Sequence, residues 1–132
     1  MHIDHIGIAV ADLEAAIKTY ETVLNTTCSK REVVESEKVE TAFFQTGESK
    51  VELLGATTED SVIAKYVAKK GQGLHHVAFE VDDIFAELDR LRSEGFTVLN
   101  EQPKDGADNK LVAFVHPKDN AGVLVELCQT KK

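Results

Sequence analysis

Three kinds of partner or scaffold are argued against by what this 132-residue chain has little of. Only two cysteines occur, Cys28 and Cys128, too few for a disulfide framework, so both are expected as free thiols near strand ends. Positive charge is in deficit: 15 Lys and Arg stand against 23 Asp and Glu, a net charge of -8. Such a surface repels nucleic acid and anionic membranes, although a local basic cluster can still hold a small anionic ligand. No apolar run approaches the roughly 20 residues of a membrane span, and strand-like alternation starts at Ile3, where a signal peptide would have to lie. The expected location is the cytoplasm, or the mitochondrial matrix for a eukaryotic chain that has lost a transit peptide.

What is present is ordinary for a globular protein, with 42% hydrophobic and 29% charged residues, and the length suits one domain, residues 1–132. Inside it a unit is written twice. Asp4-His5-Ile6-Gly7-Ile8-Ala9-Val10-Ala11-Asp12-Leu13 has the same grammar as Leu74-His75-His76-Val77-Ala78-Phe79-Glu80-Val81-Asp82-Asp83-Ile84. Each copy runs His, apolar, small, apolar, any residue, Val, then an acidic residue that opens a helical pattern.

Ile3 to Val10 reads as a strand with Ile6, Ile8 and Val10 on one face and His5, Gly7 and Ala9 on the other. Asp12 caps a helix whose apolar stripe is Leu13, Ala16, Ile17, Tyr20, Val23 and Leu24, closed by Asn25 in a left-handed conformation. Cys28 to Val34 is an irregular strand and Glu35 to Lys38 a charged turn. Val39 to Thr46 and Lys50 to Leu54 form a hairpin about Gly47-Glu48-Ser49. A short helix capped by Asp60 or Ser61 and a Gly71-Gln72-Gly73 linker bridge to the second copy. There, Leu74 to Val81 is a strand, and Asp82 or Asp83 caps a helix with Ile84, Phe85, Leu88 and Leu91 inward, ending at Gly95. Phe96 to Leu99 is expected as a strand and Pro103 to Asn109 as a loop. Leu111 to His116 and Val123 to Cys128 are expected as strands about a second turn. The order strand, helix, three strands therefore occurs twice. The expected fold class is α+β: two tandem βαβββ modules, about residues 3–55 and 74–129, joined by a linking helix at about 59–71, with curled mixed sheets around a metal site.

The repeat pairs four residues that can carry chemistry. His5 matches His76 on the first strand of each module, and Glu52 matches Glu126 on the last. Alternation places Glu52 with Leu54, and apart from Val51 and Leu53; a glutamate on an inward face is costly unless paired or metal-bound. Two imidazoles and two carboxylates suit one divalent cation of the Co, Mn, Zn, Ni or Fe(II) type better than calcium. A lone histidine or glutamate in a strand is usually structural, so recurrence in a duplicated unit is what raises these four. His75, on the opposite face from His76, and His2 are read as bystanders.

With these residues in view, the chain resembles the vicinal oxygen chelate (glyoxalase-like) superfamily and, within it, the methylmalonyl-CoA epimerase family. The marks are the two repeated segments, the helix Asp60-Ser61-Val62-Ile63-Ala64-Lys65-Tyr66, and His116-Pro117-Lys118 leading into Gly122-Val123-Leu124-Val125-Glu126-Leu127. The resemblance implies an isomerase that interconverts (R)- and (S)-methylmalonyl-CoA through a metal-stabilised enolate. It implies His5, His76 and Glu126 as ligands of one divalent ion per chain, cobalt first, with manganese, zinc, nickel or magnesium as alternatives. Glu52 stands where some relatives have a ligand glutamine, and Thr41 where they have a catalytic glutamate. That departure leaves Glu52 as both fourth ligand and second base beside Glu126, with Glu37 or Glu40 in reserve. An acyl-CoA thioester is the implied substrate and a homodimer the implied assembly. Lys104, Lys110, Lys118, Lys69 and Lys70 are candidates for a basic rim toward the coenzyme A phosphates.

Glyoxalase I is the rival enzyme of the same fold, with a similar His and Glu ligand set. It calls for basic residues toward glutathione, commonly an arginine on the first strand, where this chain has Ala9. Only three arginines occur, Arg31, Arg90 and Arg92. A ring-cleaving dioxygenase would use two histidines and one glutamate and leave positions open, which a fourth ligand at Glu52 disfavours.

Overall fold

The computed structural model describes residues Met1–Lys132 and has eight strands and three α-helices. In chain order they are β1 His2–Val10, α1 Leu13–Leu24, β2 Lys30–Val34, β3 Val39–Thr46, β4 Ser49–Ala56, α2 Val62–Lys70, β5 Gly73–Glu80, α3 Ile84–Ser93, β6 Lys104–Asp105, β7 Lys110–Val115 and β8 Val125–Thr130. Within the first half the strands are ordered β2-β3-β4-β1, and within the second β6-β7-β8-β5, so each copy of the repeat builds the same arrangement. β5 pairs with β8 in parallel while β7 pairs with β8 antiparallel, which makes the sheet mixed. The α+β class and the paired βαβββ architecture are those expected from the repeat.

The chain divides into two compact units, residues 6–75 and residues 1–5 with 76–132. In the first, α1 is laid on the sheet by the stripe read from sequence. Ile17 is buried against Val10, Ala42, Phe44, Val51 and Leu53, with Ile6, Ile8, Leu13, Ala16 and Tyr20 around them. Burying Phe44 and Leu53 completely contributes roughly 1.5–3 kcal/mol each. Gly55 permits the close approach of the helix, because a Cβ there would lie 2.9 Å from that of Leu13. The N-cap is Asp12, whose carboxylate accepts from the Ala15 N–H, and Asn25 ends the helix at φ 51°. On the other face of this sheet α2, capped by Ser61, sets Ile63 against Ala9, Val39 and Leu54.

In the second unit α3, capped by Asp83, packs Ile84 and Leu88 against Val81, Ala113 and Leu127. The opposite face carries Ala78, Val112 and Cys128. One expected strand is absent. Phe96 to Leu99 keeps only an isolated bridge, Val98 to Val115, and the second strand of this copy is instead the two-residue β6. The physical reason is competition for its amides and neighbours. The Thr97 N–H donates to the Asp119 carboxylate, and the Asn100 side chain takes the Phe114 N–H that a longer ladder would need. Both cysteines are free. No helix is long and apolar enough to cross a membrane.

Candidate metal centre

Strand alternation turns His76 to the same side of β5 as Ala78, and the parallel register sets Ala78 opposite Glu126 on β8. Glu126 in turn faces Phe114 across the antiparallel pair with β7. This row lies on the face that α3 does not cover. His5, near the start of β1, belongs to the same compact unit, and all three residues are 5% exposed.

Three side chains converge here. The Nε2 atoms of His5 and His76 are 3.1 Å apart, and the rings meet edge to face at a centroid distance of 5.2 Å. His76 Nε2 lies 3.3 Å from Glu126 Oε1, and His5 Nε2 lies 3.7 Å from Glu126 Oε2. Phe114 stacks edge-on against the His76 ring at 5.8 Å and supplies an apolar wall. His5 is held from behind, its Nδ1 being 2.7 Å from Asp4 Oδ2. A carboxylate only accepts, so in the neutral ring the proton sits on Nδ1 and the Nε2 lone pair faces Glu126 and His76.

That spacing is what a shared ion requires. Ligand atoms bound at about 2.1 Å stand about 3.0 Å apart when cis in an octahedron and about 3.4 Å apart in a tetrahedron. The separations of 3.1, 3.3 and 3.7 Å run from just above the first value to just above the second. Two nitrogens and a carboxylate in a buried pocket fit a divalent transition metal.

Glu52 is buried in the other unit, 5% exposed, opposite Phe43 in the β3–β4 register, as Glu126 is opposite Phe114. It shares its strand face with Leu54, as expected from alternation. Thr41 is fully buried, and its hydroxyl donates to the Glu32 carbonyl 3.2 Å away. Glu40 is drawn outward to Arg31, which also pairs with Glu14, and Glu37 lies in a short 3-10 turn, Glu35–Glu37. His75 is half-buried and packs edge-on against Tyr66 at 4.8 Å; burial pushes its pKa down.

One reading of the lysines is corrected. Lys110 does not belong to a surface rim: it begins β7 with its side chain only 10% exposed. Its ammonium donates to Glu80 Oε1 at 2.6 Å and Thr130 Oγ1 at 2.7 Å, and Asp4 Oδ1 lies 3.4 Å away. Burial opposes this charge, yet the hydrogen bond to Glu80 and the nearby Asp4 and Glu80 carboxylates outweigh it and raise the Lys110 pKa. Burial likewise opposes ionisation of Glu80, and the bonds from Lys110 and the Thr130 N–H overcome it, lowering that pKa. Sequence reasoning missed Asp4 and Glu80 and gave Lys110 another role. A signal existed: Lys110, Val112 and Phe114 share one parity, and a lysine on that inward row needs a partner. Lys69, Lys70, Lys104 and Lys118 are exposed.

Comparison with known proteins places this arrangement. Residues 4–114 match the model of the Glyoxalase/Bleomycin resistance protein/Dioxygenase superfamily. The human mitochondrial methylmalonyl-CoA epimerase is 41% identical, covering 96% of this chain and 73% of that one. The Cereibacter sphaeroides ethylmalonyl-CoA/methylmalonyl-CoA epimerase is 41% identical, covering 96% of each. A solved structure of a Streptomyces coelicolor methylmalonyl-CoA epimerase variant in complex with 2-nitronate-propionyl-CoA superposes with a TM-score of 0.92. Its sequence is 37% identical, and the match covers 100% of this chain and 99% of that one. With a fold, a near full-length likeness and a His/Glu cluster in agreement, the chain belongs to the Glyoxalase/Bleomycin resistance protein/Dioxygenase superfamily and, within it, to the methylmalonyl-CoA epimerase family.

Proposed function

We propose that this protein epimerises methylmalonyl-CoA, with one divalent cation held by His5, His76, Glu126 and Glu52. The observation that carries the reading is the buried convergence of His5, His76 and Glu126 in a chain about 40% identical to enzymes named for that reaction. Cobalt is the first candidate, and the same donor set accepts manganese, zinc or nickel.

The chemistry needed is removal of the weakly acidic proton between a carboxylate and a thioester, then its return on the other face. When bound, the cation supplies Lewis acidity toward the thioester oxygen and a carboxylate oxygen of the malonyl group. The side chains handle the proton. Glu52 and Glu126 hold equivalent places in the repeat, and we assign one as base and the other as acid for a given epimer. Asp4 orients His5 from behind, and Phe114 keeps one side of the site apolar, which strengthens every charge interaction within it.

Deuterium uptake at the central carbon of methylmalonyl-CoA in heavy water tests the assignment. The protein exchanges that proton, and Glu126→Gln or Glu52→Gln, each with metal content measured and retained, loses nearly all exchange. Exchange that persists in either variant removes that glutamate from the mechanism. Absence of exchange in the unmodified protein, with turnover of the methylglyoxal–glutathione adduct, would make it a glyoxalase instead.

A further inference from the structure

Behind His5 lies a second polar cluster of which the epimerase reading uses only Asp4. Ligand-type atoms of Asp4, Glu80 and Cys128 lie within 4.8 Å of one another, which on composition alone resembles another cation site. The position is already taken by a cation of the chain's own, the Lys110 ammonium, 2.6 Å from Glu80 and 3.4 Å from Asp4. Cys128 lies 3.8 Å from Glu80, and burial pushes its thiol pKa far up, so it stays neutral there.

The two carboxylates differ in what else they touch. Glu80 closes on its own strand neighbours, accepting from the Thr130 N–H at 3.0 Å. Asp4 divides its oxygens, Oδ1 toward Lys110 and Oδ2 toward His5 Nδ1. A chain of contacts thus runs Lys110–Asp4–His5 from β7 through the start of β1 and ends at the Nε2 that faces His76.

We propose that Lys110 and Asp4 act together as positioning residues that lock His5 in its Nδ1–H tautomer, leaving Nε2 as a lone-pair donor to the cation. The inference rests on the reading of His5 as a ligand. Lys110 anchors Asp4 Oδ1 and so holds Oδ2 toward Nδ1, and a carboxylate oxygen, which accepts, leaves Nδ1 to carry the proton. An asparagine in its place could rotate its NH2 toward Nδ1 and move the proton to Nε2, where it blocks coordination. Glu80 serves to hold Lys110 and does not itself act on His5.

The test reads the tautomer directly, in the full chain without metal, by ring 15N–1H correlation spectra of histidine-labelled protein. His5 is expected as Nδ1–H in the unmodified protein and in Glu80→Gln, and as a mixture containing Nε2–H in Asp4→Asn and Lys110→Met. Cobalt titration of the same proteins should show affinity weakened about 10–100-fold in Asp4→Asn and Lys110→Met, and less in Glu80→Gln. If Lys110→Met does not fold, Lys110→Met/Glu80→Gln removes one charge of each sign and gives the same tautomer readout. Nε2–H in the unmodified protein, or undiminished Nδ1–H in Asp4→Asn, overturns the proposal. A chain that binds no cobalt yet shows the expected tautomers defeats the metal reading and leaves the lock standing.

Discussion

The two copies of the repeat solve the same packing problem with opposite chemistry. In the first, Ala9, Val39 and Leu54 form an apolar cluster that Ile63 of α2 plugs. Register makes the equivalent positions in the second copy plain. Val39 faces Ala56 four residues along β3 from the Phe43–Glu52 pair, and Lys110 faces Thr130 four residues along β7 from the Phe114–Glu126 pair. Glu80 stands where Ala9 stands, four residues beyond its histidine, and Cys128 where Leu54 stands, two beyond its glutamate. One copy fills this place with hydrocarbon and a helix; the other fills it with an ion pair. The lesson is that duplication preserves the row of ligand-type residues more strictly than the support beneath it. The charged support, built on Lys110 and Glu80 of the second copy, braces His5 of the first copy through Asp4.

The comparison breaks most severely at the ion pair. Lys110→Met leaves the buried Asp4 and half-buried Glu80 carboxylates without their cation, and a loss of about 3 kcal/mol is expected in denaturant unfolding at neutral pH. The effect carries a pH signature. The Lys110 pKa is raised, so its contribution is complete below the ordinary 10.5 and is lost as pH climbs through the raised value. The Glu80 pKa is lowered, so its contribution is complete above the ordinary 4.5 and is lost as pH falls through the lowered value. The gap between the variant and the unmodified protein is therefore widest between those limits and narrows on acidification. A gap that stays constant down to low pH would mean the pair carries no charge-dependent stability.

The apolar copy should respond to cavity formation and not to pH. Ile63→Ala removes the plug over Ala9, Val39 and Leu54, and about 3 kcal/mol is expected, near the middle of the range for a buried isoleucine. The same cost at every pH from mild acid to mild base would sharpen the contrast between the copies; a pH slope would blur it. The smallest effect concerns what the copies share. Asp12 and Asp83 accept from Ala15 and Ala86 N–H at 3.1 Å, so Asp12→Ala and Asp83→Ala should each cost about 1 kcal/mol and add in the double variant. Unequal costs in thermal unfolding would show that the caps are not equivalent.

Much of this was legible in the residues themselves. The caps, the alternation of β1 and the hairpin at Gly47 follow from local rules that tertiary contacts left intact. Local rules failed where a side chain outcompeted the ladder, as Asp119 and Asn100 do around Phe96 to Leu99. Recurrence drew attention to the histidines and glutamates, and the same logic hid Asp4. Its counterpart is His75, which turns to Tyr66, so matching the copies made Asp4 look equally incidental. Lys110 was hidden for another reason. A lysine after Asp108-Asn109 reads as loop, and only the three-dimensional meeting of β1 and β5 residues supplies the carboxylates that make its burial tolerable.

The division of β1 has a consequence for how the chain reaches its folded state. Residues 6–75 form a compact unit of contiguous sequence, whereas Met1–His5 pack with residues 76–132. During synthesis these residues emerge before residues 76–132, with which they pack, and must wait for that later part of the chain. The contact of His5 with His76 then closes a loop of 71 residues, an entropic cost that local contacts do not face. His5 is thus made early and placed late, and under the proposed function the cation site would be complete only in a chain that has finished folding. On that reading an immature or misfolded chain has no assembled site with which to capture metal.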